Sequence, residues 1–282
     1  MSQIRLTVLV EDTLSSTKKA LGVEAKHGLS ILVERTEPKS SVLFDTGPSS
    51  TVLLRNMEKL KVESEKIDAV FLSHGHYDHS GGLPGILKKT NGNIPLVAHP
   101  DAFNPKFKIT PNLKNIGSPL SLSEIESFRN VVLARNPVTI ANGIATTGEI
   151  PRVSPYEKPE GFWTVKNGRF TEDLMRDEQA LVLNLKDNGI VVISGCAHAG
   201  IVNTIRHALK LTGARRVYAV IGGFHLKDSD EAKVEATVSD LAEITPRLVY
   251  PCHCTGVKPI RRLAEVFGEK CLPLRTGDVV EL

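Results

Sequence analysis

The sequence predicts an α/β layered fold in which strands and helices alternate through two similar halves. Short apolar runs of strand length recur along the chain, bounded by Gly, Pro, Asn and Asp. Stretches with helical spacing of apolar residues follow several of them. The order strand, His-bearing turn, helix appears in the first half and again in the second, which is the texture of layered α/β proteins.

In the first half, strands are expected at Ile4–Val10, Ser30–Glu34 and Ser41–Phe44, with Gly28 and the run Asp45-Thr46-Gly47-Pro48 as turns. Ser49 and Ser50 offer N-caps to a helix whose apolar face is Val52, Leu53, Met57 and Leu60. The run Ile67–Leu72 reads as a buried strand that passes directly into Ser73-His74-Gly75-His76-Tyr77-Asp78-His79. Gly81 and Gly82 then lead into a helix over Leu83–Leu87.

In the second half, Ala180–Leu185 and Gly189–Ser194 form a hairpin around Lys186-Asp187-Asn188-Gly189. The hairpin runs into Gly195-Cys196-Ala197-His198, followed by a helix with Ile201, Val202, Ile205 and Leu209 inward. Arg216–Ile221 is a strand ending at Gly222-Gly223-Phe224-His225. A helix over Glu231–Ile244 precedes the strand Arg247–Tyr250, which ends in Pro251-Cys252-His253-Cys254. Between the halves, residues 95–160 hold more than half of the chain's 16 prolines and read as an insertion, with short strands near Val131–Ala134 and Val138–Thr146. No linker interrupts the rest, so a single domain over residues 1–282 is expected.

Composition narrows the function. The 35 basic and 32 acidic residues leave a net charge of +3, well short of a nucleic-acid-binding balance. Runs such as Lys18-Lys19 and Arg215-Arg216 read as solvated surface, with a mild pull on small anionic substrates, phosphorylated ones included. The opening MSQIRLTVLVED is too short for a secretion signal and ends acidic, and no stretch approaches the ~20 apolar residues of a membrane span. Four cysteines are too few for a disulfide scaffold, and three of them lie beside histidines, which suits a reducing cytoplasm. The expectation is a cytoplasmic enzyme with a small anionic substrate and no nucleic-acid or membrane partner, its oligomeric state left open.

The chemistry sits at strand ends, where a sheet fixes side chains while the backbone is free to turn. Imidazoles and carboxylate together suit Zn, Fe or Mn, and the lack of a four-cysteine cage argues against a purely structural zinc. His74 and His76 alternate and can share one metal, whereas Asp78 and His79 follow the turn and can reach a second. His198 and His253 follow strands in the same manner and are taken as ligands. Cys196 is an alternative ligand; its competing reading is a small buried side chain. His225 is a candidate for the substrate side, as a contact or a proton donor to the leaving group. Cys252 and Cys254 flank His253 and are read as structural, His27 and His207 as surface, and His99 is left unassigned. Asp45 either orients a metal-bound histidine from behind or caps the next helix.

The run SHGHYDHSGG resembles the His-x-His-x-Asp-His signature of the metallo-β-lactamase superfamily, and LFDTG resembles its early Asp-bearing turn. The resemblance extends to ISGCAH and to the late strand-end His253, and so covers nearly the whole chain. It implies an αββα sandwich with the metal site at one edge of the two sheets, and two divalent metal ions, zinc first, with Mn, Fe or Mg as alternatives. The family's ligand roles carry over to His74, His76, Asp78, His79 and His253, with Asp78 also counted among the catalytic groups. The middle ligands depart from the common pattern: the usual Gly-His turn reads Thr147-Gly148-Glu149, and the usual Gly-Asp reads Gly195-Cys196. Either Glu149 is a ligand, or His198 has taken over and Glu149 serves the substrate; His198 is preferred.

TTGEIPR, ISGCAHAGIVNT, IGGFHL and PCHCTG together look like a narrower subgroup that includes the archaeal dihydropterin-6-methyl ribofuranosylaminobenzene 5′-phosphate synthases. Two activities follow as expectations. The first is hydrolysis of a small phosphoester-type substrate by metal-activated water. The second is transfer, condensing a dihydropterin-methyl diphosphate with a ribofuranosylaminobenzene phosphate, in which Arg152 would contact phosphate.

Overall fold

Residues 4–282 are described by the computed structural model, so the first three residues of the expected N-terminal reading lie outside the described residues. In chain order the elements are β1 (Ile4–Val10), β2 (Ser30–Arg35), β3 (Ser40–Phe44), α1 (Ser50–Lys59), β4 (Ala69–Phe71), α2 (Tyr77–Ser80), α3 (Leu83–Lys89) and β5 (Leu96–Ala98). Then come β6 (Lys106–Lys108), β7 (Lys114–Asn115), α4 (Leu122–Glu126), β8 (Val131–Leu133), β9 (Thr139–Ala141), β10 (Ile144–Thr146), β11 (Trp163–Lys166) and β12 (Arg169–Glu172). The remainder are β13 (Ala180–Asn184), β14 (Ile190–Ser194), α5 (Ile201–Thr212), β15 (Val217–Gly223), α6 (Glu231–Ile244), β16 (Leu248–Cys252), α7 (Val257–Phe267) and β17 (Val279–Glu281). Among the described residues no helix is long and apolar enough to cross a membrane.

The chain divides into two compact units. The first comprises residues 4–135, 160–177 and 275–282 of the described chain. Its main sheet has seven strands in the order β17-β1-β2-β3-β4-β5-β8. The β1-β2-β3 meander is antiparallel, and β3, β4, β5 and β8 then run parallel. Parallel neighbours need crossovers, and α1 supplies the one between β3 and β4. Ser49 begins α1 by accepting from Val52 N–H at 3.3 Å, and the helix buries Val52, Leu53 and Met57. These side chains pack with Leu43, Val70, Leu72, Leu83 and Ile86 in one apolar core. A second sheet of this unit has four strands, β12-β11-β6-β7. The sequence reading missed this sheet.

The second unit comprises residues 136–159 and 178–274. Its sheet has six strands in the order β16-β15-β14-β13-β10-β9. The hairpin β13–β14 forms as expected, and β14, β15 and β16 run parallel with α5 and α6 as crossovers. The core joins Val192, Val220 and Val249 of the sheet to Ile201, Val202 and Ile205 of α5, Leu241 of α6 and Leu263 of α7. The expected single strand over Val138–Thr146 is a hairpin instead, β9 and β10, because Asn142-Gly143 turns the chain with Gly143 at φ 72°.

Candidate metal centre

In each unit the chemistry-bearing side chains follow the C-terminal ends of parallel strands. In the first unit, β3 ends at Phe44 and Asp45 follows; β4 ends at Phe71, and Ser73 and His74 follow. Phe44 and Phe71 are fully buried with ring centroids 5.6 Å apart, so the two strand ends are anchored by the same aromatic pair.

Asp45 organises what comes after. It is fully buried, and its Oδ1 accepts from Ser73 N–H at 2.7 Å. Its Oδ2 accepts from Ser73 Oγ at 2.8 Å and from His79 Nδ1 at 2.7 Å. A carboxylate only accepts, so the proton of His79 sits on Nδ1 and Nε2 carries the lone pair. Ser73 Oγ spends its proton on Asp45, so at 2.9 Å it accepts from His74 Nδ1, and His74 Nε2 is likewise a lone-pair donor. Helix capping, the other reading of Asp45, falls instead to Ser49.

His74 Nε2 and His76 Nδ1 lie 3.1 Å apart. Two nitrogens each about 2.0–2.1 Å from one cation at a near-tetrahedral angle have about this separation. Burial, helped by His79 and His76 nearby, holds the His74 imidazole well below its ordinary pKa, which keeps it neutral and able to ligate. Asp78 Oδ2 lies 3.8 Å from His79 Nε2 and 3.3 Å from Nε2 of His27. The buried four, His74, His76, Asp78 and His79, therefore form two adjacent donor pairs, and the set fits divalent cations of the zinc type. His27, expected as surface, is exposed, and it bridges Asp12 at 2.9 Å and Asp78 at 3.3 Å. Phe162 packs its ring 5.1 Å from that of His76.

In the second unit, β14 leads into Cys196 and His198, β15 into His225, and β16 into His253. Ala197, His225 and His253 all take positive φ, 58°, 48° and 50°. Asp45 in the first unit does the same at 54°. Such backbone is costly for residues with a Cβ and is retained where the surroundings dictate it, typically at functional turns. His198 and His225 have ring centroids 4.3 Å apart, and His198 and His253 are buried while His225 is half-buried.

Cys196, His225 and Cys254 each bring a potential ligand atom within 4.8 Å of the others, and Cys196 has the same relation to His253. Cys254 was expected to be only structural. Burial pushes its thiol up, but Cys196 and the imidazoles of His253 and His225 outweigh that and bring it well below the ordinary range. Gly223 permits this approach: a Cβ there would meet Cys254 Sγ at 2.5 Å. Glu149 and Arg152 are half-buried on the segment after β10 and belong to none of these donor groups. His207 is half-buried rather than surface, its ring 3.1 Å from the Thr147 carbonyl, and His99 caps the turn at Pro100.

A cleft in this unit is lined by His198, His225, Glu157, Lys158 and Lys233, among others. Glu157 is buried and accepts from Val202 N–H and Asn203 N–H at 2.9 and 2.8 Å, capping the first turn of α5. Sequence reasoning did not single out Lys158, Lys233 or Glu157.

Comparison with known proteins matches this architecture. The family model described as "Metallo-beta-lactamase superfamily" matches residues 23–253. A Methanocaldococcus jannaschii protein, 7,8-dihydropterin-6-methyl-4-(β-D-ribofuranosyl)-aminobenzene-5′-phosphate synthase, is 36% identical over 91% of this chain and 90% of its own. The crystal structure of Tm1679, a metal-dependent hydrolase of the β-lactamase superfamily, superposes with a TM-score of 0.83 at 30% identity, over 99% of both chains. A diphosphatase of the PhnP family shares the fold at a TM-score of 0.50 and 14% identity, over 99% of this chain and 98% of that one. With its matched span and its strand-end histidines, the chain belongs to the metallo-β-lactamase superfamily.

Proposed function

We propose that the chain is a metal-dependent hydrolase of a small anionic, phosphate-bearing substrate, with His74, His76, Asp78, His79, His198 and His253 holding two divalent cations. The observation that carries this reading is the buried His74–His76 nitrogen pair, 3.1 Å apart, with His74 held neutral and its proton committed to Ser73. Cys196 and Glu149 are the alternative ligands, zinc the first metal, and Mn, Fe or Mg the others. Divalent cations supply Lewis acidity, making water a stronger nucleophile near neutral pH and offsetting charge that builds on the substrate.

The side chains do the rest. Asp45 and Ser73 hold the His79 and His74 rings in one tautomer. Lys158 and Lys233, lining the cleft with His198 and His225, counter the charge of a phosphate. His225 is placed in this reading to hand a proton to the leaving group, and Arg152 and Glu149 to contact the substrate.

A second reading is transfer in place of hydrolysis, and the synthase relative favours it. There the leaving group is a diphosphate and an aminobenzene acceptor replaces water. The metal-loaded protein is incubated with a panel of phosphodiesters, lactones and thioesters, and separately with dihydropterin-methyl diphosphate plus ribofuranosylaminobenzene phosphate, with products read by mass. Water incorporation into a panel member supports hydrolysis, and a condensed product supports transfer. No turnover in either arm at full metal loading defeats both.

A further inference from the structure

We propose that Asp177 and Glu178, consecutive in the chain, are positioning residues for the two ligand-bearing turns, one in each unit. The inference rests on the metal-ligand reading above. Asp177 is fully buried, and its Oδ2 accepts from the N–H of Gly75 at 2.8 Å. Gly75 stands between His74 and His76, so this bond grips the peptide that links the two paired imidazoles. The other oxygen, Oδ1, accepts from Lys106 Nζ at 2.9 Å, and Lys106 is itself buried and held by Asp173 at 2.7 Å. A buried carboxylate without a counter-charge is strongly disfavoured, and Lys106 supplies that counter-charge beside Asp177. The grip is tight on both sides: a Cβ on Gly75 would overlap the carbonyl of Ala102.

Glu178 does the matching work in the second unit. It is 1% exposed, and its two oxygens accept from Ala197 N–H at 3.0 Å and His198 N–H at 3.1 Å. Ala197 has the positive φ of 58° that turns the chain into His198. A carboxylate that takes two successive N–H groups fixes that turn more firmly than one carbonyl acceptor can. Neither acid is a ligand in this account; each sets where the backbone carries its histidines.

The test titrates Zn²⁺ against a chromogenic chelator, with circular dichroism and thermal unfolding as controls for the fold. Asp177→Asn and Glu178→Gln are expected to fold and to bind Zn²⁺ about 10–100-fold more weakly, the range seen when partners behind metal ligands are lost. Asp173→Asn removes the other carboxylate from Lys106 but no bond to either turn, so it should lose thermal stability and keep wild-type affinity. Wild-type affinity in both folded variants overturns the inference, as does an equal loss in Asp173→Asn. Should Asp177→Asn fail to fold, Glu178→Gln decides alone. A wild-type chain that takes up no Zn²⁺ removes the ligand reading underneath and the inference with it.

Discussion

His79 Nδ1 donates to Asp45 Oδ2 across 2.7 Å, with both side chains wholly buried. With the two bonds from Ser73 to Asp45, this bond ties the turn after β3 to the histidine-bearing turn after β4, and it fixes which nitrogen of His79 faces away from the carboxylate. Replacing Asp45 with Ala frees the His79 tautomer and leaves the Ser73 N–H and hydroxyl without their acceptor. Metal content after dialysis against a graded chelator series should show affinity reduced about 10–100-fold. Ser73→Ala removes the hydroxyl's bonds to His74 and Asp45 but leaves the Asp45–His79 bond, and should cost less. Unchanged retention in Asp45→Ala would show that the carboxylate is only a structural group.

Gly75 has no room for a side chain, because a Cβ would overlap the Ala102 carbonyl. Gly75→Ala must therefore displace the segment that carries His74 and His76, and the expected result is a folded protein that retains little metal. Gly161→Ala is the contrast: nothing lies within 4 Å of its Cβ position, and only its φ of 77° is unfavourable. It should cost about 1 kcal/mol of stability and leave metal content alone. Thermal melts paired with elemental analysis separate the two outcomes.

Lys106 gives a pH signature. Burial lowers its pKa, but Asp177 and Asp173 outweigh that and hold it above the ordinary lysine value of 10.5. A raised folded pKa means the stabilisation is complete below the unfolded value and fades as pH climbs through the folded one. The difference in unfolding free energy between wild type and Lys106→Met should be flat from about pH 6 to 9, at about 3–5 kcal/mol, and shrink above about pH 10.5. Urea titrations at intervals of pH read it. A difference that instead grows with alkalinity contradicts the assignment of charge.

Phe71 closes β4 against Phe44 directly before the histidine turn. Phe71→Ala should destabilise the fold by about 3–5 kcal/mol through lost burial and the cavity it leaves. Urea unfolding measures this, and a loss under 1 kcal/mol would mean the strand ends are not anchored there.

Much of this was legible in the sequence, and the reasons for the rest are physical. The apolar runs before Asp45, His74, His198, His225 and His253 are long and buried, so their strands and the turns beyond them could be read directly. The β12-β11-β6-β7 sheet could not: β7 has two residues, and all four of β12 are exposed, so no burial pattern marks them. Asp177 and Glu178 sit in the run Met175-Arg176-Asp177-Glu178-Gln179, which looks like solvated surface, and only the fold shows both acids buried. Cys254 reads as structural in the sequence because it flanks His253, and alternation along an extended segment would point it away from a metal that His253 faces. The turn at His253, with φ 50°, breaks that alternation. The Asn142-Gly143 hairpin signal was present and was passed over.

In the proposed function, the strand-end histidines and Asp78 hold divalent metal. Elemental analysis of freshly purified wild type beside a His74→Ala/His76→Ala double variant tests it most directly, with circular dichroism to verify that both are folded. Close to two equivalents of a divalent transition metal are expected in the wild type, with a loss of at least one in the double variant. Equal metal content in the two folded proteins, or none in the wild type after reconstitution with Zn²⁺, would contradict it.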